Sequence, residues 1–212
     1  AAGGEVALAT TACGSWDLGG TRLVLLRVDG EPARLRLVRP GVLVVATGSW
    51  ALPPAVPCGD LPGVFAGRGV ARMLAEDGVL PGERCVVAGD DAEEAAAVAQ
   101  ALRAAGARSE TAAQVAAVSG HRRISGVSTP GGRRLRCDAL VWCGPRAAAS
   151  ELARQAGAAV ALDARAGWRV RADAAGRTGV PDLLVAGEVA GAMSAADAVA
   201  AGRRAGEAAL GH

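Results

Sequence analysis

The chain has 212 residues, a net charge of +2 and a hydrophobic fraction of 51%, enough for one large or two small domains with a proper core. All 23 basic residues are arginine, which excludes Schiff-base chemistry and a lysine phosphate clamp, and the near-balanced charge gives no steering field for nucleic acid. With one Phe, no Tyr and four Trp, the core must be built from Ala, Val and Leu, whose small side chains suit helices lying close on a sheet.

Residues 4–46 read as β structure. Glu5–Thr10 alternates weakly, and Thr21–Val28 and Ala33–Val38 flank an Asp29-Gly30 turn, a hairpin signal. Val42–Ala46 is an unbroken apolar run, as expected of a strand covered on both faces, and it ends in Ala46-Thr47-Gly48. Pro53, Pro54, Pro57, Pro62 and Pro81 mark residues 49–82 as a connecting segment, with a short helix at Gly69–Glu76. Arg84–Ala88 is the next buried strand, followed by Gly89 and a helix from Asp91 to Ala105. A second meander follows directly after Gly106: Val115–Val118, Ile124–Ser128, a Pro130-Gly131-Gly132 turn and Arg133–Cys137. It leads into an apolar strand, Ala139–Trp142. A helix at Ala149–Ala156 precedes extended segments, a buried strand at Leu183–Ala186, a Gly187-Glu188 turn, and a helix over Ala195–Gly206. Twice, then, a meander feeds a buried strand that ends at glycine.

Three places could carry chemistry. The first is Ala46-Thr47-Gly48, at the carboxyl end of a strand, where ligands of open α/β sheets lie; glycine admits a close backbone approach and the threonine hydroxyl can donate. The second is the strand–turn–helix Val86-Val87-Ala88-Gly89-Asp90-Asp91-Ala92-Glu93-Glu94, placed as a dinucleotide fingerprint would be. A working G-x-G-x-x-G needs three glycines, and here only Gly89 remains, with Asp91 and Glu94 at the other two positions. Asp90, Asp91, Glu93 and Glu94 complement the helix dipole and repel a pyrophosphate. Glu110 falls where a ribose-binding acid could stand. The third is the carboxyl-terminal block, where Ala195, Ala198, Gly202 and Ala205 form a small-residue stripe and the helix start near Met193-Ser194-Ala195 presents free N–H groups.

Cys13, Cys58, Cys85, Cys137 and Cys143 form no CxxC pair and show no metal-ligand spacing, so reduced cysteines, no metal and a cytoplasmic setting are expected. No run of about 18 apolar residues predicts a membrane span. His121 and His212 lack a sequence partner for nucleophilic catalysis. The opening Ala-Ala-Gly-Gly carries neither methionine nor a signal-peptide pattern, and reads as though cut from something longer.

In order, Val44-Val45-Ala46-Thr47-Gly48, Leu61-Pro62-Gly63-Val64, Gly78-Val79-Leu80-Pro81-Gly82, Thr178-Gly179-Val180-Pro181, Ala186-Gly187-Glu188 and the helix Ala195–Gly206 resemble the FAD-dependent pyridine nucleotide-disulfide oxidoreductase superfamily. Within it the chain looks most similar to the FAD/NAD-binding subunit of opine oxidase, hydrogen cyanide synthase and sarcosine oxidase alpha type. The resemblance implies an α/β fold of two Rossmann-like (FAD/NAD(P)-binding) three-layer domains with β-meanders, the FAD domain only partly present. It also implies a division into 1–52 (partial FAD-binding domain), 53–82 (connection), 83–176 (degenerate NAD(P)-binding-like domain) and 177–212 (return to the FAD domain). Carried over, the FAD contacts are Ala46, Thr47, Gly48, Gly187, Glu188, Ser194 and Ala195, held in one shared cleft. Met193 and Ser194 stand where that subgroup has two glycines.

The redox CxxC is absent from the 212 residues, so disulfide reduction is not expected. The amino-terminal GxGxxG unit that holds the FAD pyrophosphate in that family is absent too, and the acid-filled loop at Asp90–Glu94 means that NAD(P) binding is not expected. No catalytic acid or base is implied. The implied role is an electron-transfer and assembly subunit in a hetero-oligomer with a flavin-containing oxidase or dehydrogenase that acts on an amine, opine or imino acid. The rival expectation is a non-catalytic Rossmann-like scaffold without bound nucleotide.

Overall fold

A computed structural model describes residues 4–163, 167–191 and 194–211; Met193 and His212, named above, lie outside them. The chain divides into two units, Ala1–Trp50 with Ala147–His212, and Ala51–Arg146. Short strands at Ser49–Ala51 and Arg146–Ala148 mark the two passages between them.

The first unit opens with an antiparallel meander of β1 (Thr10–Leu18), β2 (Thr21–Val28) and β3 (Arg34–Val38). The strand expected at Glu5–Thr10 begins only at its last residue. Gly19 and Gly20 both take positive φ, 62° and 81°, the two-residue turn whose twist matches a hairpin. One face buries Ser15, Arg22 and Val24. On the other face Trp16 stands opposite Leu23 and Leu37 opposite Leu25. There Trp16, Leu18, Leu35 and Leu37 remain 45–70% exposed. The strand β4 (Leu43–Val45) follows. Val45 is buried but Val44 is 39% exposed, so this strand is covered on one face rather than the two expected.

The second unit is a three-layer stack. Its parallel sheet contains β5 (Val64–Ala66), β6 (Arg84–Ala88), β7 (Arg108–Ala112) and β11 (Ala139–Trp142), in the order β5-β11-β6-β7. Helices α1 (Gly67–Arg72) and α2 (Ala92–Ala104) cover one face. A meander of β8 (Ala117–Gly120), β9 (Ile124–Ser128) and β10 (Arg134–Arg136) covers the other. The period-two rule of strands sorts the side chains. Cys85, Val87, Val141 and Cys143 pack with Val98 and Leu102 of α2, whereas Val86, Ala88 and Leu140 pack with Ile124, Val127 and Leu135 of the meander. The sequence puts the meander directly after Gly106. Instead β7 comes first and completes a β6–α2–β7 crossover. The first meander strand starts at Ala117 rather than Val115.

Back in the first unit, α3 (Glu151–Gln155) is shorter than the expected Ala149–Ala156 and ends beside the β1–β2 hairpin, where Arg22 of β2 donates to the Ala156 carbonyl at 3.4 Å. A hairpin of β12 (Val160–Asp163) and β13 (Gly167–Val170) leads to β14 (Leu183–Val185). A 3₁₀ turn at Gly187–Ala190 precedes α4 (Ala195–Leu210). The helix packs Ala201, Ala205 and Ala208 on Leu184 and Ala186. Of the predicted stripe, Ala205 is buried and Ala198 half-buried, whereas Ala195 and Gly202 are exposed. Among the described residues no helix is long and apolar enough to cross a membrane, and no group of three or more His, Cys, Asp or Glu could hold a metal ion.

All five cysteines are free: Cys13 and Cys58 exposed, Cys85, Cys137 and Cys143 buried. Burial pushes the Cys85 and Cys137 thiols up to about 11, and Asp138 adds to this. Burial, with Glu94 and Asp91 nearby, pushes Cys143 up to about 12. A thiol reagent at neutral pH is therefore expected to label Cys13 and Cys58 quickly and the other three only on unfolding. The folded thiols hold their protons more tightly than unfolded ones, whose reference value is 9.0. The stability they contribute is thus complete below pH 9.0 and is lost as pH rises through about 11 to about 12. Denaturant midpoints measured across that range check the sign.

Candidate functional site

In the first unit β4 and β14 pair in parallel, Leu43 beside Leu183 and Val45 beside Val185. The Ala186 N–H donates to the Val45 carbonyl at 3.1 Å, so both strands end level. Their next residues, Ala46-Thr47-Gly48 and Ala186-Gly187-Glu188, emerge at one carboxyl edge, the place where α/β sheets hold ligands. Each chain turns through a left-handed glycine, Gly48 at φ 74° and Gly187 at φ 77°, a conformation that costs any other residue roughly 1–2 kcal/mol. The corners are tied together: the Ser49 hydroxyl donates to Glu188 Oε2 at 2.7 Å.

Neither glycine is filled from behind. Among the described residues, a Cβ built on Gly48 meets only Glu188 Oε2, at 3.7 Å, and one on Gly187 meets only the Ala198 Cβ, at 4.0 Å. Among the described residues, nothing fills the space on the Cβ side of either corner. Ala198 also brings the first turns of α4 to Gly187. A cavity of about 240 Å³ lies there, lined by Gly176, Gly187, Gly191, Asp197 and Arg204 among others.

Two expected contacts are already engaged. The Thr47 hydroxyl donates to the Ala149 carbonyl at 2.6 Å, so it can offer a ligand only its lone pairs. Ser194 caps α4, accepting from the Asp197 N–H at 3.1 Å and donating to Asp197 Oδ2 at 2.8 Å. Ser194 and Ala195 sit exposed at a helix start whose first turn carries an acid. Ser49 is the site residue that sequence reasoning missed; it directly follows Gly48, but nothing local marks a partner 139 positions away.

The second unit has a contrasting loop at the head of α2. The Asp91 side chain caps the helix by accepting from the Glu94 N–H at 2.9 Å. Arg146 donates to Asp91 Oδ2 at 2.6 Å and to Glu94 Oε2 at 2.7 Å, the three side chains being 21%, 33% and 16% exposed. One guanidinium thus offsets part of the charge of the carboxylates at positions 91 and 94, so the expected like-charge repulsion is reduced there but not removed. The Asp91 N–H is taken by the Cys143 carbonyl at 3.0 Å, and a Cβ on Gly89 would strike the Cys143 backbone. Gly89 is glycine because its own fold presses on it. An open cleft of about 910 Å³ lies alongside, lined by Gly89, Asp90, Ala92, Thr111, Gln114 and Arg133 among others. Glu110 is paired with Arg133 rather than facing that cleft.

Residues 79–202, more than half of the chain, match the family profile of pyridine nucleotide-disulphide oxidoreductases. The chain belongs to that family. Among solved structures it is similar to an L-proline dehydrogenase from P. horikoshii, with 26% identity, a TM-score of 0.73, and coverage of 85% of this chain and 36% of that one. It shares its fold with a FAD-dependent pyridine nucleotide-disulphide oxidoreductase from Desulfovibrio vulgaris (20% identity, TM-score 0.66, 95% and 61% covered). The same holds for a T. acidophilum thioredoxin reductase (16% identity, TM-score 0.64, 95% and 73% covered). The chain thus spans about a third of the first relative and three-fifths of the second. No curated protein matches it in sequence. The family fold, α/β with Rossmann-like three-layer units, is the one expected from the sequence.

Strain at the corners has a direct test. Gly48→Ala and Gly187→Ala should each cost about 1–2 kcal/mol in denaturant unfolding, because each forces a Cβ into the left-handed region. Gly202→Ala, at an exposed position inside α4 with open space around it, should raise stability by roughly 0.5–1 kcal/mol.

Proposed function

We propose that this chain is part of a FAD-dependent oxidoreductase subunit and that its first unit carries one wall of the flavin site. The observation that carries this reading is the pair of open left-handed corners, Gly48 and Gly187, joined through Ser49 and Glu188. Both are glycine for backbone shape and neither is filled by a described residue, as a cofactor pressed against main chain requires. FAD fits these residues. Ala46 and Gly48 would line the approach, Gly187 would admit the cofactor backbone-close, and Glu188 would accept from its hydroxyl groups while Ser49 holds the carboxylate in place. Ser194 and Ala195 would meet it from the head of α4. When bound, the flavin supplies hydride and single-electron transfer; the chain's own residues bind and orient it, and none is assigned as an acid or base.

On this reading the first unit, Ala1–Trp50 with Ala147–His212, is FAD-side and the second, Ala51–Arg146, descends from a pyridine-nucleotide domain. Likeness to an L-proline dehydrogenase supports a donor that is an amine, opine or imino acid, oxidised in a complex whose other subunit carries its own flavin. The exposed apolar face of Trp16, Leu18, Leu35 and Leu37 supports burial against further protein. Five free cysteines agree with a reducing, cytoplasmic setting.

The test is expression from the native open reading frame, followed by flavin absorption and an FAD titration by fluorescence. The protein should take up FAD, and Gly187→Val with Glu188→Ala should weaken binding by about tenfold or more. A folded protein with no flavin band after FAD is added would overturn the proposal.

A further inference from the structure

We infer that the head of α2 is a closed ionic joint, made by Arg146 with Asp91 and Glu94, and that the second unit keeps a pyridine-nucleotide domain's fold while excluding the dinucleotide. The inference rests on family membership and on reading this unit as the nucleotide-domain counterpart; it is independent of the flavin site.

A dinucleotide fingerprint works because its second glycine lets pyrophosphate touch the main chain, its third lets helix and strand close up, and free N–H groups at the helix start face the phosphates. The first two conditions fail here and the third is only partly met. Side chains stand at both the second and third positions, and they point into one shared guanidinium at 2.6 and 2.7 Å. The N–H groups of residues 91 and 94 are spent on the Cys143 carbonyl and the Asp91 carboxylate, and the Ala95 N–H donates to the Asp91 carbonyl at 2.9 Å.

Behind the loop, α1 locks the arrangement. A Cβ on Gly67 would meet the Glu94 carboxylate at 2.5 Å and Cys143 Sγ at 2.6 Å, so the first residue of α1 is pressed onto the same carboxylate. The two carboxylates at the fingerprint positions are held instead by Arg146, 55 and 52 residues away in sequence. The adjoining cleft offers a phosphate no replacement, because Asp90 lines it and its Arg133 is committed to Glu110. The obstacle to pyrophosphate is therefore an occupied loop, together with the negative charge that one guanidinium leaves on it.

Calorimetric titration with NADH, NADPH and ADP-ribose, combined with thermal unfolding, tests this in three arms. The unaltered protein should bind each with Kd weaker than about 1 mM. Asp91→Gly with Glu94→Gly rebuilds glycine at positions 89, 91 and 94 and releases the Arg146 cation, so ADP-ribose binding should strengthen by about tenfold or more. Arg146→Met leaves two half-buried carboxylates without their cation, so Tm should fall by about 3 °C or more. Micromolar NADH binding by the unaltered protein, a folded double variant with no gain, or an unchanged Tm for R146M would each overturn the inference. If the double variant does not fold, the other two arms decide. Flavin uptake is read separately by absorption, so loss of the flavin proposal would leave this result standing, and the reverse.

Discussion

The parallel pairing of Leu43–Val45 with Leu183–Val185 is the constraint on which the first unit depends. A parallel pair cannot be closed by a tight turn; it needs a long connection, and here that connection contains an entire second unit. What the pairing provides is level strand ends. Once the Ala186 N–H is bound to the Val45 carbonyl, Gly48 and Gly187 must turn side by side, and Ser49 comes within hydrogen-bonding reach of Glu188. The buried apolar triplet of β14 and the small-residue face of α4 hold that edge from behind. The early segment and the last segment of the chain thus make one feature, and neither makes it alone.

The two units use the same device, a strand that ends at glycine, toward opposite ends. At Gly48 and Gly187 the left-handed backbone is needed and no described residue fills the space on the Cβ side. At Gly89 the glycine is consumed by the approach of Cys143, and the helix start behind it is satisfied by Asp91 and Arg146. A glycine at a strand end indicates close approach of something; only the neighbours tell whether that is a ligand or the protein itself. By this criterion the corners of the first unit differ from Gly89, which the backbone of its own unit fills.

Much of this architecture was legible in the residues. Thr21–Val28, Arg84–Ala88, Ile124–Ser128 and Ala139–Trp142 form strands with the expected bounds, because apolar runs bounded by turn residues are strong signals. The first strand was hidden because Thr10–Ser15 is short and polar, although the Gly19-Gly20 pair before Thr21 was a usable hairpin signal. Arg108–Ala112 escaped because RSETA, at a sheet edge, has no apolar alternation to detect. The juxtaposition of the two glycine corners was implied by the family resemblance rather than by any local signal. The Ser49–Glu188 link and the Arg146 joint could not be expected, since each joins residues far apart in sequence and no local spacing encodes it.

Backbone amide exchange measured with and without FAD, on protein expressed from the native reading frame, tests the central claim most directly. If the two corners form one flavin-facing edge, FAD should slow exchange together at residues 46–49 and 186–189 and leave the loop at 89–95 unchanged. Protection at one corner without the other, or at 89–95 alone, would contradict the account.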